Sequence, residues 1–213
     1  MYLCLRVDLD YVPWDSPDAG EFGHGEPATL LRLLELAAVR EQRFHFFASN
    51  RVLRAFPTEA EAILNRGHAL DWFCKHPLNL MPRYEEAVEL FGLFGHHIQG
   101  LCVRAAWPGA VTSVPDEVRF ISSSGTATPA GVRHFPVETK SDREASRGGL
   151  AAKKWAETLK AQLRELASRN RGATVVVRPQ VLAKYDPKLL QVRDLLEFGE
   201  AIGMSPRTLR ELL

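Results

Sequence analysis

The stretch Tyr2-Leu3-Cys4-Leu5-Arg6-Val7-Asp8-Leu9-Asp10 is an apolar run that ends in two carboxylates two residues apart. Read as a strand, it puts Asp8 and Asp10 on one face, about 6–7 Å from each other, because side chains alternate with a period of two. At an effective dielectric near 20, two carboxylates at that separation repel by roughly 3 kcal/mol. A strand that ends this way requires a cation close to both acids. A bound metal there makes the site hydrolytic, whereas a lysine or arginine points to a different use.

Working outward from residues 2–8, further short β-type runs occupy 44–48, 69–74, 101–104, 119–122, 132–137 and 174–178. Helical spacing fills the intervals. Residues 27–40 carry Leu30, Leu31, Leu33, Leu34, Ala37 and Ala38, and a second helix runs from Asn50 through Leu64 to a stop at Gly67. Residues 82–94 place Tyr84, Ala87, Val88 and Phe91 on one side, and 145–170 form the longest helix. Asp186-Pro187 opens another, and Ser205-Pro206 caps a short terminal helix. Strands alternating with helices predict an α/β fold with a mostly parallel sheet, and seven strands suggest a closed or nearly closed barrel, with a doubly wound open sheet as the runner-up. No clear helix separates 104 from 119, or 122 from 132. Such loops at strand C-termini are where sites in these folds are built. Residues 11–26, rich in Pro, Gly and Asp, are expected to form a long first loop over the barrel mouth.

At 213 residues the chain is expected to be one domain over 1–213, large enough to bury a full core. With 27 basic and 26 acidic residues, net charge +1, the balance favours neither nucleic acid nor an anionic membrane as partner. Cys4, Cys74 and Cys102 have no CxxC spacing and sit in apolar segments, which predicts buried free thiols. No signal-peptide pattern and no apolar run near 18 residues is visible, so the chain reads as a soluble cytoplasmic protein. Oligomeric state is not set by the sequence.

The last residues of the strands collect polar groups on one rim. They are Asp8 and Asp10, Ser49 and Asn50, Lys75 and His76, Arg104, Ser122 to Ser124, Glu138 and Lys140, and Arg178 with Gln180. Acids, a histidine and several cations converging at one end of a barrel form an active-site pattern.

Several segments together resemble the polysaccharide deacetylase family, the NodB homology domain of carbohydrate esterase family 4. Leu5-Arg6-Val7-Asp8-Leu9-Asp10 is similar to its first motif, and Phe44-His45-Phe46-Phe47-Ala48-Ser49-Asn50 to its second strand. Leu64-Asn65-Arg66-Gly67-His68-Ala69-Leu70 resembles its helix end and turn, and Cys74-Lys75-His76-Pro77 falls where the family closes its H-x-x-x-H-P metal motif. Arg104-Ala105-Ala106-Trp107-Pro108-Gly109, Phe120-Ile121-Ser122-Ser123-Ser124 with Val132-Arg133-His134-Phe135-Pro136-Val137, and Val175-Val176-Val177-Arg178-Pro179-Gln180 match later motifs in order. The resemblance implies a distorted (β/α) barrel of seven to eight mostly parallel strands. It also implies hydrolysis of an N-acyl group on a carbohydrate, assisted by a divalent metal, zinc or similar. Carried over by position, Asp8 is the base, Asp10 and His76 are metal ligands, and Arg104 orients the base.

Three departures accompany the likeness. Trp72 stands where the first ligand histidine belongs, the spacing from Gly67 to His76 is one residue short, and Arg178 replaces the late histidine acid. Arginine stays protonated at neutral pH and cannot serve as that acid. Asp71, Cys74 and His24 are the alternative third ligands. Lys75 and Arg178 could instead supply the positive charge of the metal, pairing with Asp8 and Asp10 and binding a carbohydrate or small polar ligand. Trp107 and Trp72 could add sugar-stacking faces, although Trp72 reads first as core. His96-His97 reads as a solvated pair, His134 as a packed or rim histidine, and Ser122 to Ser124 lack the surroundings of a nucleophile. Two functional readings follow: a metal-dependent N-deacylase with an altered ligand set, or a noncatalytic barrel that binds a sugar or small anion.

Overall fold

The opening run forms strand β1 (Tyr2–Leu9), buried along its whole length after the first residue. That is the environment of a central parallel strand, which is covered on both faces. The computed structural model describes residues 1–10, 25–126 and 128–213, with Glu26 described by its backbone alone. The loop expected over 11–26 and the candidate ligand His24 therefore fall almost wholly outside the described residues. Around β1 stand β2 (His45–Ala48), β3 (Ala69–Phe73), β4 (Gly100–Ala106), β5 (Phe120–Ser124), β6 (Arg133–Pro136), β7 (Ala173–Val177) and the two-residue β8 (Ser205–Pro206). Their order is β6-β5-β4-β3-β2-β1-β7, with β8 added beside the start of β1. Every pairing is parallel.

This eight-stranded sheet curls into a barrel with a seam between its end strands β6 and β7. Period-two alternation sorts β1 into two environments. Leu3, Leu5, Val7 and Leu9 face a large outer core under the helices. Cys4 faces a second, inner core made with Phe47, Phe73, Cys102, Phe120, Phe135 and Leu209. A sheet that encloses a core of its own is a barrel, which sets aside the doubly wound alternative. Across the seam Tyr2 and Phe135 meet edge to face at 6.2 Å, and the Thr139 hydroxyl donates to the Thr174 carbonyl at 2.7 Å. Gly100 is dictated by this inner packing, because a Cβ there would lie 2.0 Å from the ring of Phe120.

Among the described residues eight helices cover the outside: α1 (Gly25–Val39), α2 (Asn50–Ala55), α3 (Pro57–Asn65), α4 (Leu80–Gly92), α5 (Asp142–Arg147), α6 (Ala152–Ser168), α7 (Pro179–Tyr185) and α8 (Leu190–Ala201). No described helix is long and apolar enough to cross a membrane. The single helix expected over 145–170 is two, because Gly148-Gly149 interrupts it and Gly149 turns through φ +70. Likewise Pro57 divides the helix after Asn50 into α2 and α3. Ser205-Pro206 is not a helix cap but β8, after which Arg210–Leu212 form one 3-10 turn. Asp186 does cap a helix, accepting from the N–H groups of Leu190, Gln191 and Val192, yet that helix begins three residues beyond Pro187.

The C-terminal segment closes the floor of the barrel. Asp71 is fully buried and accepts from Arg210 Nε and Nη2 at 2.7 and 2.8 Å, from His45 Nε2 at 3.1 Å, and from the N–H groups of Gln99 and Gly100. Burial alone would raise its pKa, but Arg210 and His45 hold it below the ordinary carboxylate value. Asp71 therefore belongs to the N-terminal end of the barrel, away from the rim where a third metal ligand was sought. All three cysteines are buried and unbridged.

Candidate functional site: an arginine-clamped aspartate pair

Arg6, Asp8 and Asp10 are two apart on β1, so they rise toward the C-terminal mouth on one face. Arg6 is 1% exposed and makes all its contacts inside the barrel. Its Nε and Nη2 donate to the two Asp8 oxygens at 2.7 and 3.1 Å, forming a bidentate fork. Nη1 donates to the Ser122 carbonyl and hydroxyl, each at 3.0 Å, and Nη2 also reaches the Val103 carbonyl at 3.1 Å. Arg178, just past β7, donates from Nη2 to Asp8 Oδ2 at 3.3 Å on the other side. Asp8 thus lies between two guanidinium groups, and neither oxygen faces open water.

Asp10 is held in the same manner. Arg104 Nη2 donates to its Oδ2, Gln180 Nε2 donates to Oδ1 at 3.0 Å, and Arg143 Nη1 stands 3.8 Å from Oδ2. Arg178 is steered by a third acid, Asp142, which accepts the Arg178 backbone N–H at 2.7 Å and Nη1 at 3.1 Å. Burial pushes the Asp142 carboxyl up to about 7, against the lowering effect of Arg178 and of the backbone N–H groups of Arg178 and Arg143. Asp142 and Arg143 are delivered by α5, whose first turn is fixed by a capping box between Ser141 and Glu144.

The network brings together Asp8, Asp10, Arg104 and Arg178 and places the others elsewhere. Arg104 sits on Asp10 rather than on Asp8; the clamp on Asp8 is Arg6. His76 and Lys75 are exposed after β3 and line a cavity of about 220 Å³ together with Asp10, Asn50 and Trp72. The cations within reach of the two aspartates are arginines, not Lys75. Trp107 is buried in the outer core, with its indole N–H on the Val111 carbonyl at 2.8 Å, so its faces are packed against protein. Trp72 is buried too, edge-on to Tyr84 and donating to Asn50 Oδ1 at 2.6 Å. The Cys74 thiol, pushed up to about 12 by burial, stays protonated in the outer core. His96 Nε2 donates to the Leu70 carbonyl at 2.9 Å, and His134 Nε2 meets Ser123 Oγ at 3.0 Å on the edge of the sheet.

Arg6, Asp142 and Arg143 were not among the candidates read from the rim. Arg6 had a signal: it precedes Asp8 by two residues and so shares its face. Ser141-x-x-Glu144 is a helix-start pattern that places Asp142 and Arg143 at the rim after β6.

The donor set does not fit a divalent metal. An ion there would need free carboxylate lone pairs and neutral imidazoles. The Asp8 and Asp10 oxygens instead accept from guanidinium and amide groups, an indole occupies the position of the first ligand histidine, and an added +2 ion would face four arginines. Among the described residues no group of three or more His, Cys, Asp or Glu is placed to hold a metal.

No family model matches the chain, and no curated protein matches it. Solved structures do. A Mycobacterium smegmatis structure assigned as a polysaccharide deacetylase superposes with a TM-score of 0.76 at 14% identity, covering 99% of this chain and 88% of that one. Puue allantoinase gives a TM-score of 0.77 at 12% identity, with 99% and 88% covered. A CE4 family pseudoenzyme from Bacillus anthracis gives 0.57 at 9% identity, with 96% of this chain and 62% of that one covered. The chain therefore has the deacetylase-like barrel fold that its motifs implied.

Proposed function

We propose that this chain is a polysaccharide-deacetylase-like protein that binds a carbohydrate at the C-terminal mouth of its barrel, with fixed arginines where metal-assisted N-acyl hydrolysis would need an ion. One observation carries the reading: Asp8 and Asp10, matched by position to the base and a ligand, spend their charge on Arg6, Arg178, Arg104 and Arg143. Asp8 is fully buried and both its oxygens are taken by Arg6 and Arg178, which leaves neither of them in contact with water in the mouth. The likeness to a structure assigned as a polysaccharide deacetylase supports a carbohydrate ligand, and the likeness to a CE4 family pseudoenzyme supports a barrel of this kind without catalysis.

The hydrolytic reading keeps one observation in its favour, since Asp10 and His76 line the same cavity. Metal analysis of the purified protein, with acetate release from N-acetylated chitooligosaccharides, separates the two. The binding reading expects substoichiometric zinc, cobalt and nickel, a melting temperature unmoved by chelator, no acetate release, and saturable binding of the oligosaccharide. Stoichiometric metal that is lost on His76→Ala, together with acetate release, overturns it in favour of the enzyme.

A further inference from the structure

Beside the aspartate network lies a second cavity of about 200 Å³, bounded by the end of β4, the start of α5 and the residue after β7. Among the described residues five arginines line it: Arg6, Arg104, Arg143, Arg147 and Arg178. The acids near them are fewer. Asp8, Asp10 and Asp142 are consumed by the contacts above, and Glu144 is turned back onto Ser141, accepting from its backbone N–H and hydroxyl at 2.8 Å each. Among the described residues, positive charge therefore exceeds the acids that neutralise it. Arg143 registers the excess: after burial, the largest influence lowering its pKa is Arg104, and Arg147 and Arg178 add to it.

One buried donor in this wall is left over. Arg178 is 3% exposed, its Nη1 and Nη2 are spent on Asp142 and Asp8, and its Nε has no hydrogen-bond partner among the described residues. A buried guanidinium N–H without an acceptor is destabilising, so an acceptor brought to this wall is favoured. The missing partner is an oxygen, and the surroundings favour one that carries negative charge.

We infer that this cavity is an oxyanion subsite, which takes a phosphate or carboxylate group carried by the carbohydrate ligand through Arg178 Nε, Arg143 and Arg147. The inference rests on the binding function proposed above and narrows its ligand to an acidic or phosphorylated sugar. The cavity volume is ample for a phosphate or carboxylate.

Calorimetric titrations at low ionic strength test it with inorganic phosphate, N-acetylglucosamine, its 6-phosphate, and glucuronic acid. The 6-phosphate or glucuronic acid binds at least tenfold more tightly than N-acetylglucosamine, and the phosphate and carboxylate arms identify which anion is used. Arg147→Ala, at an exposed position outside the aspartate network, weakens the charged ligand by roughly tenfold, the loss expected for one charge-assisted contact, and leaves the neutral sugar unchanged, while Arg143→Ala weakens the charged ligand at least as much. Arg143→Lys recovers part of the loss, and circular dichroism checks that each variant is folded. Equal affinity for charged and neutral sugars, insensitive to both substitutions, overturns the subsite while sustaining the carbohydrate reading. Phosphate binding that depends on Arg143 without any contribution from a sugar sustains the subsite and overturns the carbohydrate reading. Absence of binding by every probe at millimolar concentration overturns both.

Discussion

Replacing Asp8 by asparagine distinguishes an ion-pair cluster from a metal site through stability alone. In a vacant metal site the two neighbouring carboxylates repel, so neutralising one is stabilising or without effect. Here Asp8 is fully buried and accepts from Arg6 at 2.7 and 3.1 Å and from Arg178 at 3.3 Å. Asparagine keeps the shape but offers one carbonyl in place of two charged oxygens and aims an NH₂ at a guanidinium. Removing one member of a buried ion pair costs about 3–5 kcal/mol, because the partner charge stays buried without compensation. For a chain of this size each 1 kcal/mol moves the melting temperature by about 2–4 °C, so Asp8→Asn lowers it by roughly 6–20 °C. Urea denaturation at neutral pH, with and without chelator, gives the same loss in both conditions. Removing both charges, with Arg6→Met in the Asp8→Leu background, recovers only part of it, since the Ser122 and Val103 carbonyls lose their donor. An Asp8→Asn protein as stable as the parent, or more so, refutes the reasoning.

Other substitutions probe separate layers. Arg210→Ala removes the cation that holds Asp71, and because Arg210 is partly exposed the expected cost is about 2–3 kcal/mol, read by urea unfolding together with faster proteolysis of the C-terminal residues. Gly100→Ala drives a methyl into the Phe120 ring and costs about 1–3 kcal/mol, and Phe120→Leu in the same chain relieves it. Asp142 gives a pH dependence of definite sign. Its carboxyl ionises near 3.8 when unfolded but is pushed up to about 7 when folded, so the folded state binds the extra proton between those values. Its contribution is complete below pH 4 and is lost as pH rises toward 7, by at most about 4 kcal/mol. The parent protein therefore loses stability relative to Asp142→Asn across that range, and parallel stability curves for the two contradict the assignment.

How much of the fold was legible follows from which residues carry period and which carry punctuation. Continuous β-type runs separated by amphipathic helices were enough for a parallel barrel, because a strand covered on both faces reads as uninterrupted apolar sequence. The errors fell at Gly149, Pro57 and Ser205-Pro206. In the first two, helical periodicity continues across the break, so hydrophobic spacing alone joins what a positive φ or a missing N–H divides. In the third, a serine-proline pair has the form of a cap, and only tertiary contact with Tyr2 and Leu3 makes it a strand. Similarly, a chemically suitable Asp71 in β3 could be assigned to the floor only once Arg210, 139 residues later, was known to reach it.

The site was half legible for a different reason. A motif fixes where a side chain begins but not what neutralises it. Asp8 and Asp10 demand positive charge wherever this strand folds, and the sequence offered Lys75, His76, Arg104 and Arg178 at the same rim. Choosing among them depends on reach. Lys75 and His76 follow β3, two strands away from β1, and remain at the surface. Arg178 follows β7, which pairs directly with β1 and brings Val177 level with Val7. Arg6 needs no reach at all, since it lies on the same strand and face as the acid it clamps. Strand order thus accounts for Arg6 and Arg178 on Asp8, whereas Arg104 reaches Asp10 from β4, on the far side of the barrel mouth, and Arg143 arrives on α5. Arg178 is pinned there by Asp142, which leaves its Nε without a partner among the described residues beside a cavity lined by four further arginines.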